Sequence, residues 1–325
     1  MASIQTCERQ WALRYLWGYR QKKDNKWAAG GTLFHTEMQY VAVSRLPKEK
    51  RPAWATHDKR LNALSAQAQG DKELRDKANE AAAQYVQTYG LEEDPLYPVY
   101  IEEEFSATLG EIDSFDADRP RPDLDDEIVT CRTDLVAKNT RAGGIWILDY
   151  KTIGISKVSK KTGNMFRWNP KGEYALDWQV LINLHLVRAT LAREGHPDAF
   201  DVRGFIIQRA TREPDRNGRH DFDRHVLVIP PIAYKEAARA ARLAVIHEVE
   251  VRDRIKAGGK PNPSYHACWG QYGPCDYRNV CIAEDKEQQA EILAADFKRI
   301  EIPWPRGNAS LVAKPEKRLT VLSDS

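Results

Sequence analysis

The chain contains no apolar run approaching the ~18–20 residues a membrane helix requires, so no segment is expected to cross a bilayer. An excess of one charge is missing too. Lys and Arg number 49 against 47 Asp and Glu, a formal net charge of +2, so overall charge advertises no polyanionic partner. Cysteine is sparse, at 5 residues. The first residues are no secretory signal, because Cys7, Arg9 and Arg14 interrupt their apolar positions. Sparse cysteine without a signal argues against a disulfide framework and makes the cytoplasm the expected location. No internal repeat occurs. No G-x-x-x-x-G-K-[ST] loop is present to cradle ATP phosphates, which excludes a motor within this chain.

At 325 residues, 42% hydrophobic and 30% charged, the composition is that of a globular protein with a substantial core. Residues 1–23 read as a helix with an aromatic face, broken by Gly30-Gly31-Thr32 before a second helix from Leu33 to Val43. An Ala-rich amphipathic pattern covers 61–89. Strand patterns occupy 98–109, 127–137 and 145–151, with the acidic stretch Asp113–Asp126 read as an exposed loop. A helix over 174–193, strands at 202–210 and 222–229, and helices over 232–256 and 284–298 follow. This order predicts an α/β fold with one central mixed β-sheet flanked by helices. The expected organisation is a single domain over 1–300. It comprises a helical part (1–95), a core (96–260) and a cysteine segment (261–300), followed by a tail at 301–325 without pattern.

The rest is organised around Val129–Thr152. Two β-branched and aromatic runs flank a turn at 139–144; the first carries Asp134 and the second ends in Asp149-Tyr150-Lys151. Side chains alternate along a strand, so Asp149 and Lys151 share a face. Two carboxylates with a lysine beside them suit a hard divalent cation and phosphodiester hydrolysis. His35 adds a nitrogen donor that Mn²⁺ accepts more readily than Mg²⁺. Lys151 would stabilise charge at the phosphate or orient the attacking water. Beyond it, Lys157, Lys160, Lys161, Arg167 and Lys171 interleave with Phe166 and Trp168, a composition that fits a phosphate backbone and unstacked bases as well as it fits a solvated loop.

Cys268, Cys275 and Cys281 cluster in a loop with Gly270, Gly273 and Pro274. Three thiolates do not complete a tetrahedral or cubane site, and Cys7 is the evident fourth. Such a site would tie the chain's two ends together. Paired C-x2-C knuckles, common at zinc, are absent, yet spacing alone does not separate zinc from [4Fe–4S]. Cys131 stands apart and reads as a small buried hydrophobe.

His35 in G-G-T-L-F-H, Asp134 in C-R-T-D-L-V, Asp149-Tyr150-Lys151-Thr152 and Gln179 together resemble the successive motifs of the PD-(D/E)XK nuclease superfamily. Within it they are similar to RecB-type nucleases and the iron–sulfur nucleases of CRISPR adaptation and phage. The resemblance implies a restriction-endonuclease-like core with a helical insertion. It makes His35, Asp134 and Asp149 ligands of Mg²⁺ or Mn²⁺, Lys151 catalytic, and Gln179 an orienting residue. It also implies a [4Fe–4S] cluster on Cys7, Cys268, Cys275 and Cys281. DNA is the implied partner, with a helicase, recombinase or CRISPR-adaptation protein on a separate chain, in the host-cell cytoplasm if phage-encoded. Thr133 stands where the superfamily has Pro, and Asn183 where a Tyr commonly follows the Gln. The implied activity is metal-dependent exonuclease action on DNA ends or single strands. The competing class is a non-catalytic nucleic-acid-binding or assembly protein holding zinc.

Overall fold

A computed structural model describes residues 7–22, 26–68, 71–114, 116, 118–153, 178–211, 214, 217–270 and 273–300; the side chains of 26–29, 153, 178–179, 265, 269–270 and 273–274 are excepted. In chain order, the one-turn α1 (Glu8–Trp11) runs into a π-helical turn over Ala12–Leu16 and then β1 (Tyr19–Gln21). Three helices follow: α2 (Lys26–Ser44), α3 (His57–Gln67) and α4 (Lys72–Tyr89). Next come β2 (Leu96–Thr108), the single turn α5 (Leu109–Ile112), β3 (Ile128–Asn139) and β4 (Ile145–Ile153). Helix α6 (Trp178–Arg193) precedes β5 (Val202–Thr211), β6 (Phe222–Val228) and the long α7 (Pro231–Lys256). The chain closes with β7 (Trp269–Gly270), β8 (Gly273–Pro274), α8 (Arg278–Ile282), α9 (Lys286–Asp296) and β9 (Phe297–Arg299).

Two compact units share these elements. The described residues divide into a sheet unit within 25–107 and 129–235 and a cysteine unit within 1–24, 108–128 and 236–313. In the sheet unit five strands stand in the order β2-β3-β4-β5-β6. β3 and β4 are antiparallel, β4 and β5 parallel, and β5 and β6 antiparallel, which is the mixed central sheet expected of an α/β fold. The Asn139–Gly144 turn forms because the Asn139 carboxamide accepts from the Arg141 and Ala142 N–H groups while Gly143 and Gly144 take φ of 72°. One face of β4 presents Trp146, Leu148 and Tyr150 to Phe34 and Met38 of α2 and to Ala81 and Tyr85 of α4. Each such fully buried side chain is worth about 1.5–3 kcal/mol. The other face carries Ile145, Ile147, Asp149 and Lys151. Helix α6, which packs against β5, buries Val180, Leu184, Val187 and Leu191.

Helix α2 runs straight through Gly30-Gly31, where the sequence suggested a break. The glycines serve contact instead: a Cβ on Gly31 would lie 3.2 Å from Thr152 Oγ1 of β4. Tertiary packing overrides glycine's weak helix propensity here.

In the cysteine unit the expected helix over 1–23 is divided. Gly18, at φ 76°, stops the π turn, and β1 then pairs antiparallel with β9. Leu13, Tyr277, Val280 and Phe297 form one small core; Trp11, Ala12 and Val251 form another. The acidic stretch Asp113–Asp126 is less exposed than its composition suggested. Asp113 is 1% exposed and paired with Arg242, itself 1% exposed, while Arg242 also meets Asp125 at 2.6 Å. Each buried charge is tolerated because it is paired and hydrogen-bonded.

Candidate active site

Four of the expected site residues lie together in the sheet unit. The β3–β4 register sets Leu135 opposite Leu148, which brings Asp134 beside Asp149 one step along. Asp134 Oδ2 accepts the Tyr150 N–H at 2.7 Å, a bond that locks the carboxylate across the two strands. His35 sits one turn beyond Gly31 on α2, and its Nδ1 lies 3.3 Å from the same oxygen. The imidazole packs edge-on against Tyr150 with centroids 6.2 Å apart. On β4, Lys151 Nζ is 2.7 Å from Asp149 Oδ2, the same-face pair that strand alternation demands.

The structure adds Glu102 of β2. Ligand atoms of His35, Glu102 and Asp134 all lie within 4.8 Å of one another. Glu102 adopts φ 53°, the left-handed region that non-glycine residues seldom enter. The consequence is legible in its neighbours. Tyr100 and Phe105, five residues apart, would occupy opposite faces of a regular strand, yet both are buried and meet edge-on at 5.4 Å. The left-handed residue between them reverses the alternation and turns the Glu102 carboxylate to the His35 side. Arg132 of β3 holds it at 2.8 Å, and Gln39, one turn beyond His35, hydrogen-bonds it. Sequence reading missed Glu102 because Glu102, Glu103 and Glu104 are consecutive and nothing local marks which one is turned.

Electrostatics are set by burial and crowding. Burial pushes the Asp149 carboxyl up to about 6, with Lys151 opposing and the Asp134 charge adding. Glu102 is raised by burial and by Asp134, against the hydrogen bond from Gln39 and the charge of Arg132. Burial pulls His35 down, but the hydrogen bond to Asp134 and the charges of Asp134 and Asp149 outweigh it, and its pKa is raised. Acids that resist ionisation chiefly because they are buried, and secondarily because Asp134 lies beside them, make a donor set suited to a cation. Carboxylate oxygens and one imidazole nitrogen within that radius fit Mg²⁺ or Mn²⁺.

Gln179 lies in the first turn of α6, but its side chain is outside the described residues, as are Lys157, Lys160, Lys161, Arg167 and Trp168. The four cysteines named above belong to the cysteine unit. The Cys7 sulfur caps α1 by accepting from the Gln10 N–H at 3.5 Å, and it accepts from the Ser264 N–H at 3.4 Å. The Cys275 N–H donates to the Cys268 carbonyl at 3.0 Å. Burial pushes the Cys281 thiol up to about 11, Arg9 opposes, and Cys7, Cys275 and Cys268 raise it further; Cys275 is raised by burial and feels Cys268 and Cys7. The four sulfurs therefore share one electrostatic neighbourhood. The remaining cysteine, Cys131 on β3, is half-buried, and burial pushes its thiol up to about 12.

The sequence profile of the PD-(D/E)XK nuclease superfamily matches residues 1–282. The chain belongs to the PD-(D/E)XK nuclease superfamily. No curated protein matches this nuclease in sequence. Among solved structures, a candidate exonuclease from Eubacterium rectale is similar at 13% identity and a TM-score of 0.41, over 75% of this chain and 73% of that one. Among the described residues of this superfamily member, no helix is long and apolar enough to cross a membrane.

Proposed function

We propose that the chain is a metal-dependent deoxyribonuclease that hydrolyses phosphodiester bonds at DNA ends or in single strands, as an exonuclease. The observation that carries this reading is the convergence of His35, Glu102 and Asp134 within 4.8 Å, beside an Asp149–Lys151 pair on the adjoining strand. His35, Asp134, Asp149 and Glu102 would hold Mg²⁺ or Mn²⁺. A metal there, when bound, lowers the pKa of water and polarises a phosphoryl oxygen. Lys151, held by Asp149, places a positive charge where the phosphate gains negative charge and offers N–H donors to the attacking water. Arg132 and Gln39 keep Glu102 aimed. Gln179, in the first turn of α6, would orient Lys151 or the substrate.

Cys7, Cys268, Cys275 and Cys281 would hold a [4Fe–4S] cluster that staples the N- and C-terminal segments of the cysteine unit. Tetrahedral zinc, with Zn–S of about 2.3 Å, gathers its sulfurs to within about 4 Å of each other. A [4Fe–4S] cluster takes the same four thiolates, and the resemblance to the iron–sulfur nucleases favours it. The partner proposed is a helicase, recombinase or CRISPR-adaptation protein on a separate chain. The test is cleavage of labelled DNA with Mg²⁺ or Mn²⁺, in which Asp149→Ala and Lys151→Ala each lose at least about 100-fold. Variants that cut like the parent overturn the assignment. An anaerobic visible spectrum with iron and zinc analysis decides the cluster.

A further inference from the structure

Many cationic side chains of the cysteine unit are ion-paired. Arg119, Arg121, Arg239, Arg242, Arg252 and Arg254 each meet a carboxylate within 4.0 Å. Arg14, Arg20 and Lys298, like Arg9, Lys22, Lys260, Lys286 and Arg299, meet no carboxylate among the described residues. Arg14 and Arg20 flank one ring. The Arg14 guanidinium lies 5.6 Å from the Tyr15 ring centroid and that of Arg20 lies 5.3 Å from it. Arg20 also donates to the Arg14 carbonyl, which binds the π turn to β1. In the β1–β9 ribbon Arg20 stands opposite Lys298, an exposed residue. Like charges facing each other across strands are destabilising. Each guanidinium gains a cation–π contact from the Tyr15 ring, and Arg20 also hydrogen-bonds Tyr277, but neither meets a counter-ion among the described residues. Arg14 Nε is buried and has no hydrogen-bond acceptor, whereas Tyr15 is 39% exposed. The π turn itself is a rare geometry that occurs often at functional sites.

From this juxtaposition we infer that Arg14, Tyr15, Arg20 and Lys298 form a contact site for single-stranded nucleic acid, with a base stacked on Tyr15 and phosphates on the cations. The chemistry is specific. A free phosphate or an acidic peptide would use the cations but not the exposed ring, while a single strand presents both a charged backbone and an unstacked π face. The site lies wholly in the cysteine unit and uses none of His35, Glu102, Asp134, Asp149 or Lys151. The choice of DNA as the strand rests on the nuclease reading; the existence of the site does not.

The experiment is fluorescence anisotropy of the full-length protein with a labelled single-stranded oligonucleotide, in EDTA so that no cleavage occurs, across a KCl series. Tyr15→Ala and Arg20→Gln are each expected to weaken binding about tenfold, and Tyr15→Trp to restore it, since stacking accepts any large ring. Arg20→Gln and Lys298→Glu should each lower the slope of log affinity against log salt by about 0.7, the value for one lost phosphate contact on a single strand. Lys72→Gln, at an exposed position outside both the patch and the catalytic site, should leave binding as in the parent. If Tyr15→Ala or Arg20→Gln misfolds, Lys298→Glu on its exposed position decides alone. Patch variants that are folded and bind with parental affinity and salt slope overturn the inference, even where Mn²⁺-dependent cleavage is present. Loss of binding in the patch variants of a protein that never cleaves supports the site while sinking the nuclease reading.

Discussion

At the scale of single residues, the site depends on one backbone choice. Glu102 occupies a left-handed conformation that costs about 1–3 kcal/mol for a side chain of this kind, and strain of that sort persists only where the surroundings impose it. Arg132 and Gln39 are those surroundings. Glu102→Gly is therefore expected to raise the thermal midpoint, because glycine enters this region without strain, while weakening metal activation. Glu102→Gln keeps the backbone and removes the charge, so it should raise the Mn²⁺ concentration for half-maximal cleavage about tenfold with little change in stability, as one lost charged ligand implies. A metal titration of both variants against differential scanning calorimetry separates the two effects. If Glu102→Gln responds to Mn²⁺ like the parent, the carboxylate is no ligand.

At the scale of elements, the catalytic geometry depends on how closely α2 approaches β4. Gly31 permits that approach at Thr152, four residues before His35. A Cβ there would sit 3.2 Å from the Thr152 hydroxyl, which can rotate, so Gly31→Ala should be nearly neutral. Gly31→Val cannot be absorbed in that way. It should destabilise by about 1–3 kcal/mol through overpacking, and should lower cleavage further by drawing His35 off Asp134. Urea denaturation with parallel activity assays reads both. A Gly31→Val protein as stable as the parent would mean that α2 and β4 do not lie so close. The Asp149-x-Lys151 pair was readable in advance because strand alternation is a local rule and β4 obeys it. The same rule fails in β2, where one left-handed residue inverts it.

For the whole molecule, one acid in each unit, Asp149 and Asp125, responds to pH with opposite sign. Asp149, raised to about 6 by burial, makes the folded sheet unit bind a proton more readily than the unfolded chain does. Its contribution is greatest below the unfolded carboxylate value of about 3.9 and is lost as pH rises through about 6. His35, also raised, acts in the same direction. Asp125 is lowered to about 2, first by its hydrogen bonds to Arg119 and Arg242, so its contribution is present above about 3.9 and lost as pH falls through about 2. Without added divalent ions, the thermal midpoint should climb as pH falls from neutral to about 5 and drop below about 4. Mg²⁺ should raise it at neutral pH, where the carboxylates are charged and a cation replaces the missing proton. Asp149→Asn should flatten the upper limb; a variant whose profile keeps that limb would place its origin elsewhere.

By itself the sequence determined the periodicities: the mixed sheet, the long helices, the Asp149-x-Lys151 pair and the grouping of four cysteines from the chain's two ends. These are local or compositional properties, carried by alternation, apolar spacing and residue type. Only the tertiary structure decided which of three adjacent glutamates turns to His35 and that Gly30-Gly31 sits inside a helix. It alone revealed that Asp113 is buried against Arg242, and that residues 8–21 form a short helix, a π turn and a strand that pack through Trp11, Ala12 and Leu13. Each of those depends on what lies across a gap in space, a hydroxyl at Thr152 or a guanidinium at Arg132, which no pattern along the chain records.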